Sequence, residues 1–408
     1  MTDPTHPAPP ATAFGPLAGV RVLDIGNVFA APFAAALLGD MGADVVKVEL
    51  PGSGDPARGM APSDGEEGLL WAALARNKRA ITLDLRHPEG QQIFLRLLAT
   101  TDVLVENFRP GTLDRWGLTA DRLREANPDL VVARISGYGQ TGPYAGMAGF
   151  GTPATAFSGY LYSTGFPDRP PVLPPMNLVD YMAGTFAAFG TVAALYHRDA
   201  KGGSGQEVDV ALYESMLRFL EGMVTEYDRL GQIRERTGNE VPATAPLGLF
   251  ASADGVWLVL STSTDRTFDR FAEVMGRTDM STDPRYRTNR LRVENRAEVD
   301  AVVTEWFATH TAAEILRLCD DKGVPVSRVN NMSDVFADPH VQARDMLVEV
   351  QHPKLGSLRL PGIVPKLSAT PGEVRTTGPS MGDHNAEVYG ELGLSATDLD
   401  RLTTEGVI

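Results

Sequence analysis

Among the residues of this chain that could do chemistry, Asp180 has the most telling surroundings. It stands in Met176-Asn-Leu-Val-Asp-Tyr-Met-Ala-Gly184, between the proline-dense stretch 165–175 and an uncharged apolar run from Tyr181 to Leu195. Proline at that density excludes a helix interior or a central strand. The run after it predicts a buried helix rich in Ala and Gly. A carboxylate at that junction lies at the helix N-terminus and faces the loop, where the dipole and unpaired amide N–H groups favour an anion. Such a place suits a carboxylate nucleophile, and it suits an ordinary N-cap equally well.

Three other polar groups lie beside predicted strands: Arg76-Asn77-Lys78-Arg79, Glu106-Asn107-Phe108-Arg109-Pro110-Gly111 with Arg115 beyond it, and Ser136-Gly137-Tyr138-Gly139-Gln140-Thr141-Gly142-Pro143. They are expected at the carboxyl ends of the strands, where ligands of open α/β sheets gather. Lys and Arg total 37 against 52 Asp and Glu, a net charge of −15. That balance disfavours nucleic acid and anionic membrane as partners. On such a chain, cations gathered at one rim suit an anionic, phosphate-bearing ligand, with Phe108 and Tyr138 offering faces to a planar base. The plainer reading makes Arg76–Arg79 a solvated turn and Phe108 a core residue. The N–H groups near Gly137 and Gly139 could serve an oxyanion. Arg169, Tyr160, Tyr162 and Met176 could line an acid pocket or simply pack.

Other chemistries find less support. Gly26 follows a strand and Glu49 ends the next, as in a dinucleotide site, yet Val28 and Ala31 occupy the second and third glycine positions of that fingerprint. The seven His residues are scattered and the single Cys, Cys319, has no partner, so no metal-ligand spacing appears. Neither a Gly-x-Ser-x-Gly elbow nor a phosphate-binding Gly-rich loop occurs.

The elements that must position these residues alternate. Strands are predicted at 20–25, 43–49, 80–84, 102–106 and 130–135, with helices at 32–41, from Pro88, and at 120–126. This pattern predicts an α/β domain on a mainly parallel sheet. A turn at 201–205, a short strand at 206–210 and a long helix from Ala211 to about Leu230 follow. A hairpin turning at Asp254-Gly255 opens a smaller α+β domain. The expected organisation is a disordered leader at 1–14, a large α/β domain at 15–215 and a linker helix and loop at 216–246. A small domain at 247–330 follows, and then a segment at 331–408 that returns to pack on the large one. The lone cysteine suits a reducing cytoplasm. The apolar run 181–195 falls short of the ~20 residues that cross a bilayer, and no membrane role is expected.

Taken in order, the motifs resemble the family III CoA-transferases, a group that also holds the α-methylacyl-CoA racemases. The matching stretches are Leu17–Asp24, Gly42–Glu49, Gly54-Asp55 with Arg58, Asn77-Lys78-Arg79, Val105–Gly111, Ile135–Pro143, Asn177–Asp180 with Gly184, and Gly202–Asp209. The resemblance implies a large Rossmann-like domain that binds CoA, a smaller domain, and two chains interlocked as a homodimer. It places Asp180 at the family's catalytic aspartate. It places Val28, Phe29, Ala75, Arg76, Asn77, Lys78, Asn107, Phe108, Arg115, Ser136, Gly137, Tyr138 and Gly139 where the family contacts CoA. The implied activity moves CoA from an acyl-CoA thioester to a free carboxylic acid, such as a short dicarboxylate, through aspartyl intermediates. Acyl-CoA is a substrate here, and no tightly bound cofactor is expected. Racemase relatives carry a His-Asp pair where this chain has Ala148-Gly149-Phe150-Gly151-Thr152, and Phe cannot move a proton. The glycine run of formyl-CoA transferase is replaced by Ala245-Pro-Leu-Gly-Leu249. Racemisation on the same scaffold and non-catalytic acyl-CoA binding are the competing readings.

Overall fold

The computed structural model describes residues 14–408; the leader expected at the N-terminus lies outside the described residues except for Phe14. Six strands form one sheet: β1 (Arg21–Asp24), β2 (Asp44–Glu49), β3 (Lys78–Thr82), β4 (Val103–Glu106), β5 (Val131–Ser136) and β6 (Glu207–Ala211). Every neighbouring pair is parallel. Their order across the sheet is β3-β2-β1-β4-β5-β6, the doubly wound arrangement in which strand order reverses between β1 and β4. Successive side chains leave a strand on opposite faces, and the apolar pairs show it. Val22, Val103 and Val131 enter one core layer with Ala31, Ala35 and Ala187; Leu23, Leu104 and Val132 enter the other with Ile93, Phe94 and Leu97.

The first layer is covered by the helices Ala30–Asp40 and Leu178–Lys201, which pack on each other. Small residues permit the approach: a Cβ added at Gly184 would fall 2.7 Å from the Ala30 carbonyl oxygen. The longer helix differs from expectation at both ends. It starts at Leu178 and runs past Arg198 to Lys201, where left-handed Gly202 ends it. By length and composition alone it is long and apolar enough to cross a membrane, although Val179, Ala183, Ala187, Thr191 and Leu195 are buried in the core. The helix expected from Ala211 to about Leu230 is broken into Leu212–Leu217 and Glu221–Leu230 by a 3₁₀ turn, Arg218–Leu220.

By contacts the chain forms two compact units. The first comprises the described residues up to Tyr160, Pro174–Gly231 and His340–Ile408; the second comprises Leu161–Leu173 and Gln232–Pro339. Residues 161–173, read from sequence as part of the large domain, group with the second unit. There Gly238 N–H donates to Gly165 O at 2.9 Å, and Arg236 donates to Tyr162 O at 2.8 Å. The second unit holds an antiparallel sheet of Leu247–Ala251, Trp257–Ser261 and Val326–Arg328, with a core around Phe268, Phe271 and Phe307. The C-terminal segment lies along edge strand β3 and satisfies its backbone. Ala80 N–H donates to His384 Nδ1 (3.2 Å), Thr82 N–H to Asn385 Oδ1 (2.9 Å), and Tyr389 O–H to Thr82 O (2.5 Å). An unpaired edge is thereby closed.

Candidate active site

Asp180 is the third residue of Leu178–Lys201, so it does not cap the helix; Asn177 stands at the cap, without a side-chain cap bond. Its carboxyl group is half-buried, and among the described residues no cation or side-chain donor offsets that burial. Desolvation therefore raises its pKa to about 6, opposed only by its own backbone N–H. Both flanks of this carboxylate are built from bare or apolar surface. A Cβ added at Gly151 would come within 2.0 Å of Asp180 Oδ2. Tyr181 meets Phe33 edge-on at 4.8 Å and Phe29 at 6.1 Å. Beside it opens a cleft of about 690 Å³ lined by Phe29, Met60, Leu69, Leu70, Met176 and Tyr181 among others, with no charged side chain in its lining among the described residues. That size suits a small organic ligand.

The loops after β1 and β4 meet at the point where strand order reverses. Asn27 N–H donates to Asn107 Oδ1 and Asn107 Nδ2 returns a bond to Asn27 O, each at 2.8 Å. Val28 sits at φ 67°, a left-handed backbone that costs a β-branched residue about 1–2 kcal/mol. Its N–H donates to Asp55 Oδ1 at 3.0 Å, and Asp55 is gripped by the ammonium of Lys47 at 2.9 Å. Lys47 is fully buried, donates also to Gly26 O and lies 3.7 Å from Asp24. Burial opposes its charge, but Asp24 and Asp55 hold its pKa above the usual lysine value. Asp55 is correspondingly held low: burial opposes, and Lys47 with the Ala57 and Val28 N–H groups outweighs it. An internal ion cluster thus fixes the loop that carries Val28 and Phe29.

This cluster corrects the expected cationic rim. Lys78 is buried and bonds to Asp24 Oδ2 (2.9 Å) and Pro32 O (2.6 Å), and burial lowers its pKa against the pull of Asp24. Arg76 pairs with Asp40 through two bonds of 3.0 and 2.5 Å and donates to Pro361 O. Asn77, at φ 59°, bonds to Asp40 and to Glu373 O. Ala75 is buried at the end of the helix Leu69–Leu74. These residues lie at the amino end of β3 rather than at a carboxyl end, and neither Arg76 nor Lys78 presents a free cation. Arg109 and Arg115 are exposed and carry no ion pair among the described residues. Phe108 is half-buried, edge-on to Trp116 at 5.1 Å, and its N–H donates to Glu106 at 2.6 Å.

After β5, Gly139 N–H donates to Ser136 Oγ at 3.0 Å, and Gln140 N–H to Asp209 at 3.0 Å. The Gly139 amide is therefore committed and does not serve an oxyanion. Gly137 presses on Gly149 so closely that a Cβ on it would fall 2.6 Å from the Gly149 Cα. Tyr138 joins a ring cluster with Tyr144, Phe157 and Tyr213. The four suggested acid-pocket residues divide: Tyr160 and Met176 belong to the first unit, Tyr162 and Arg169 to the second. Tyr162 bonds to Glu235 at 2.7 Å, and Arg169 lies over the Phe166 ring.

Two features escaped the reading of the sequence. One is the ion cluster, whose signal was charge inside otherwise apolar strands (Leu23-Asp24, Val46-Lys47-Val48), tolerated only when paired. The other is Glu106, whose pKa is raised to about 7 by burial against the Phe108 N–H and Arg134, 3.9 Å away.

A doubly wound parallel sheet, with loops stitched together where its strand order reverses, places the chain among the α/β proteins that gather ligands at that point. Comparison with known proteins is specific. The family described as CoA-transferase family III matches residues 17–385. The chain is 45% identical over 396 residues to the succinyl-CoA–D-citramalate CoA-transferase of Chloroflexus aurantiacus, covering 96% of this chain and 98% of that one. It is 42% identical over 397 residues to the alpha subunit of a succinyl-CoA–L-malate CoA-transferase from Chloroflexus aurantiacus, covering 96% and 92%. A crystal structure of a CAIB/BAIF family protein from Brucella suis superposes with a TM-score of 0.81 at 32% identity, covering 93% of this chain and 100% of that one. The chain belongs to CoA-transferase family III. It is an enzyme that moves CoA from an acyl-CoA thioester to a carboxylic acid.

Proposed function

We propose that Asp180 carries the transfer as a covalent nucleophile. Its carboxylate oxygen attacks the thioester carbonyl of the donor, the C–S bond breaks, and an aspartyl–acyl anhydride forms with CoA thiolate. The thiolate attacks the aspartyl carbonyl, releasing the donor acid and leaving an aspartyl-CoA thioester. The acceptor carboxylate attacks that thioester and expels the thiolate, which then attacks the acceptor carbonyl and frees Asp180. The observation that carries this reading is the isolation of the carboxylate: half-buried, paired with no cation among the described residues, and next in the chain to Tyr181, which lines an open cleft. A desolvated carboxylate is more nucleophilic than a solvated one, and splitting the exchange into four displacements lowers each barrier.

CoA is read onto the stitched loops around Val28, Phe29, Asn107 and Phe108, with Ser136–Gly139 beside them and Arg115 for phosphate. Any contact from 75–78 would go through backbone or Asn77, because Arg76 and Lys78 are engaged by Asp40 and Asp24. The similar enzymes named for succinyl-CoA, citramalate and malate favour a short dicarboxylate pair for this chain. A second copy of the chain completes the molecule in this reading. Phe189, Phe219, Tyr227 and Leu230 are exposed on adjoining helices of the first unit, an apolar surface of the kind that marks protein association. Hydroxylamine trapping during turnover, followed by mass spectrometry, is expected to label Asp180. An Asp180→Ala variant with full transfer activity rules the reading out.

A further inference from the structure

We propose that Gly151 is a positioning residue for the Asp180 carboxylate, acting because it has no side chain; the proposal rests on the nucleophilic reading of Asp180. Gly151 opens the helix Gly151–Phe157, and its φ lies outside the positive range that calls for glycine. Alanine would serve that helix better than glycine does. Backbone conformation therefore does not explain glycine here, and space does. A Cβ would meet Asp180 Oδ2 at 2.0 Å, its Cγ at 3.0 Å and Val179 Cγ1 at 3.2 Å. The first distance is below any real carbon contact and the other two are tight, so the carboxylate occupies the volume that a side chain at 151 would fill.

What holds Gly151 at that place is a second contact of bare backbone. Added Cβ atoms at Gly137 and Gly149 would each approach the other residue's Cα, at 2.6 and 2.5 Å. Neither residue has a positive φ, so this pair too is set by packing. The loop after β5 thus presses on Gly149, and two residues later the chain passes against the carboxylate. The rotamer of Asp180 and the loop proposed to hold CoA are coupled through three glycines.

A methyl group at 151 would push the carboxylate aside by rotation of its own side chain, a small cost to folding and a large one to chemistry. A displacement of about 1 Å at a reacting group costs on the order of 100-fold in rate. The test compares Gly151→Ala with Asp180→Ala and the native enzyme, measuring kcat, KM for acyl-CoA, Tm and the pH profile. The expected result for Gly151→Ala is a roughly 100-fold lower kcat, KM within a few-fold, an unchanged or higher Tm, and an acid limb moved to higher pH by the added desolvation. A kcat within two-fold of native overturns the proposal. So does a fall in Tm or loss of soluble protein, which would make residue 151 merely structural. Undiminished transfer by Asp180→Ala instead overturns the nucleophilic reading, whatever the 151 variant does.

Discussion

At the scale of single residues, the proposed chemistry depends on how far burial has shifted one carboxyl group. Asp180 has a folded pKa of about 6, raised above the usual carboxylate range by desolvation. As the proposed nucleophile Asp180 must be ionised, so kcat/KM is expected to fall below pH 6 with an acid limb near that value, measurable with a pH-insensitive acyl-CoA assay. The sign for stability runs the other way. A group whose folded pKa is raised binds its proton more tightly in the native state, so its contribution is present below pH ~4 and lost as pH rises through 6. Ionised Asp180 therefore destabilises the fold at neutral pH, by about 2–3 kcal/mol at most. Asp180→Asn is expected to be inactive yet to have a higher Tm than the native enzyme at pH 7, with the gap closing at pH 4. A lower Tm at pH 7 would show that burial does not strain this carboxylate.

At the scale of elements, the loop after β1 owes its shape to a charge cluster rather than to its own residues. Val28 is held left-handed by Asp55, and Asp55 by Lys47, which is fully buried between Asp55 and Asp24. Removing one member leaves an uncompensated charge in the core, and Lys47→Met is expected to cost about 3–5 kcal/mol in urea unfolding. Asp55→Asn is milder and tests function. Its folded pKa is depressed, so its stabilising contribution is present above pH ~4 and lost as pH falls through the folded value. The variant is expected to loosen the Val28 loop and to raise KM for acyl-CoA more than it lowers kcat. Asn107→Ala, which removes both bonds to Asn27, is expected to act in the same direction, by about tenfold if each neutral bond is worth ~0.5–1.5 kcal/mol. An unchanged KM in both variants would separate this loop from CoA.

At the scale of the whole molecule, the first unit is closed by its own C-terminus. His384, Asn385 and Tyr389 pair with the backbone of edge strand β3, and Val407 O accepts from Asp84 N–H. Removing residues 384–408 would bare that edge and uncover Leu23 and Ile81 from the packing of Val388, Tyr389 and Leu402. The truncated chain is expected in the insoluble fraction; a soluble, active product would show that the segment is dispensable. The apolar face of Phe189, Phe219, Tyr227 and Leu230 makes a separate prediction. Light scattering should report a dimer for the native chain, and Leu230→Asp should shift it toward monomer with lower activity.

Much of this protein could be read in one dimension. Strand alternation and helix periodicity are local, so the parallel α/β core was legible from Val20 to Ile135, and the proline run ahead of an uncharged helix singled out Asp180. The placement of that residue within the first turn of its helix, rather than at the cap, was not, because a cap depends on which N–H groups remain unpaired after folding. Nor were the partners of Arg76 and Lys78. Their charges suggested a phosphate rim, yet Asp40 and Asp24 stand far from them along the chain, and nothing local records the pairing. Residue type and spacing thus determined the architecture and the candidate nucleophile. Only tertiary packing decided which charges are spent inside the fold, which stay free, and how much burial one carboxylate must bear, because desolvation is a property of neighbours in space.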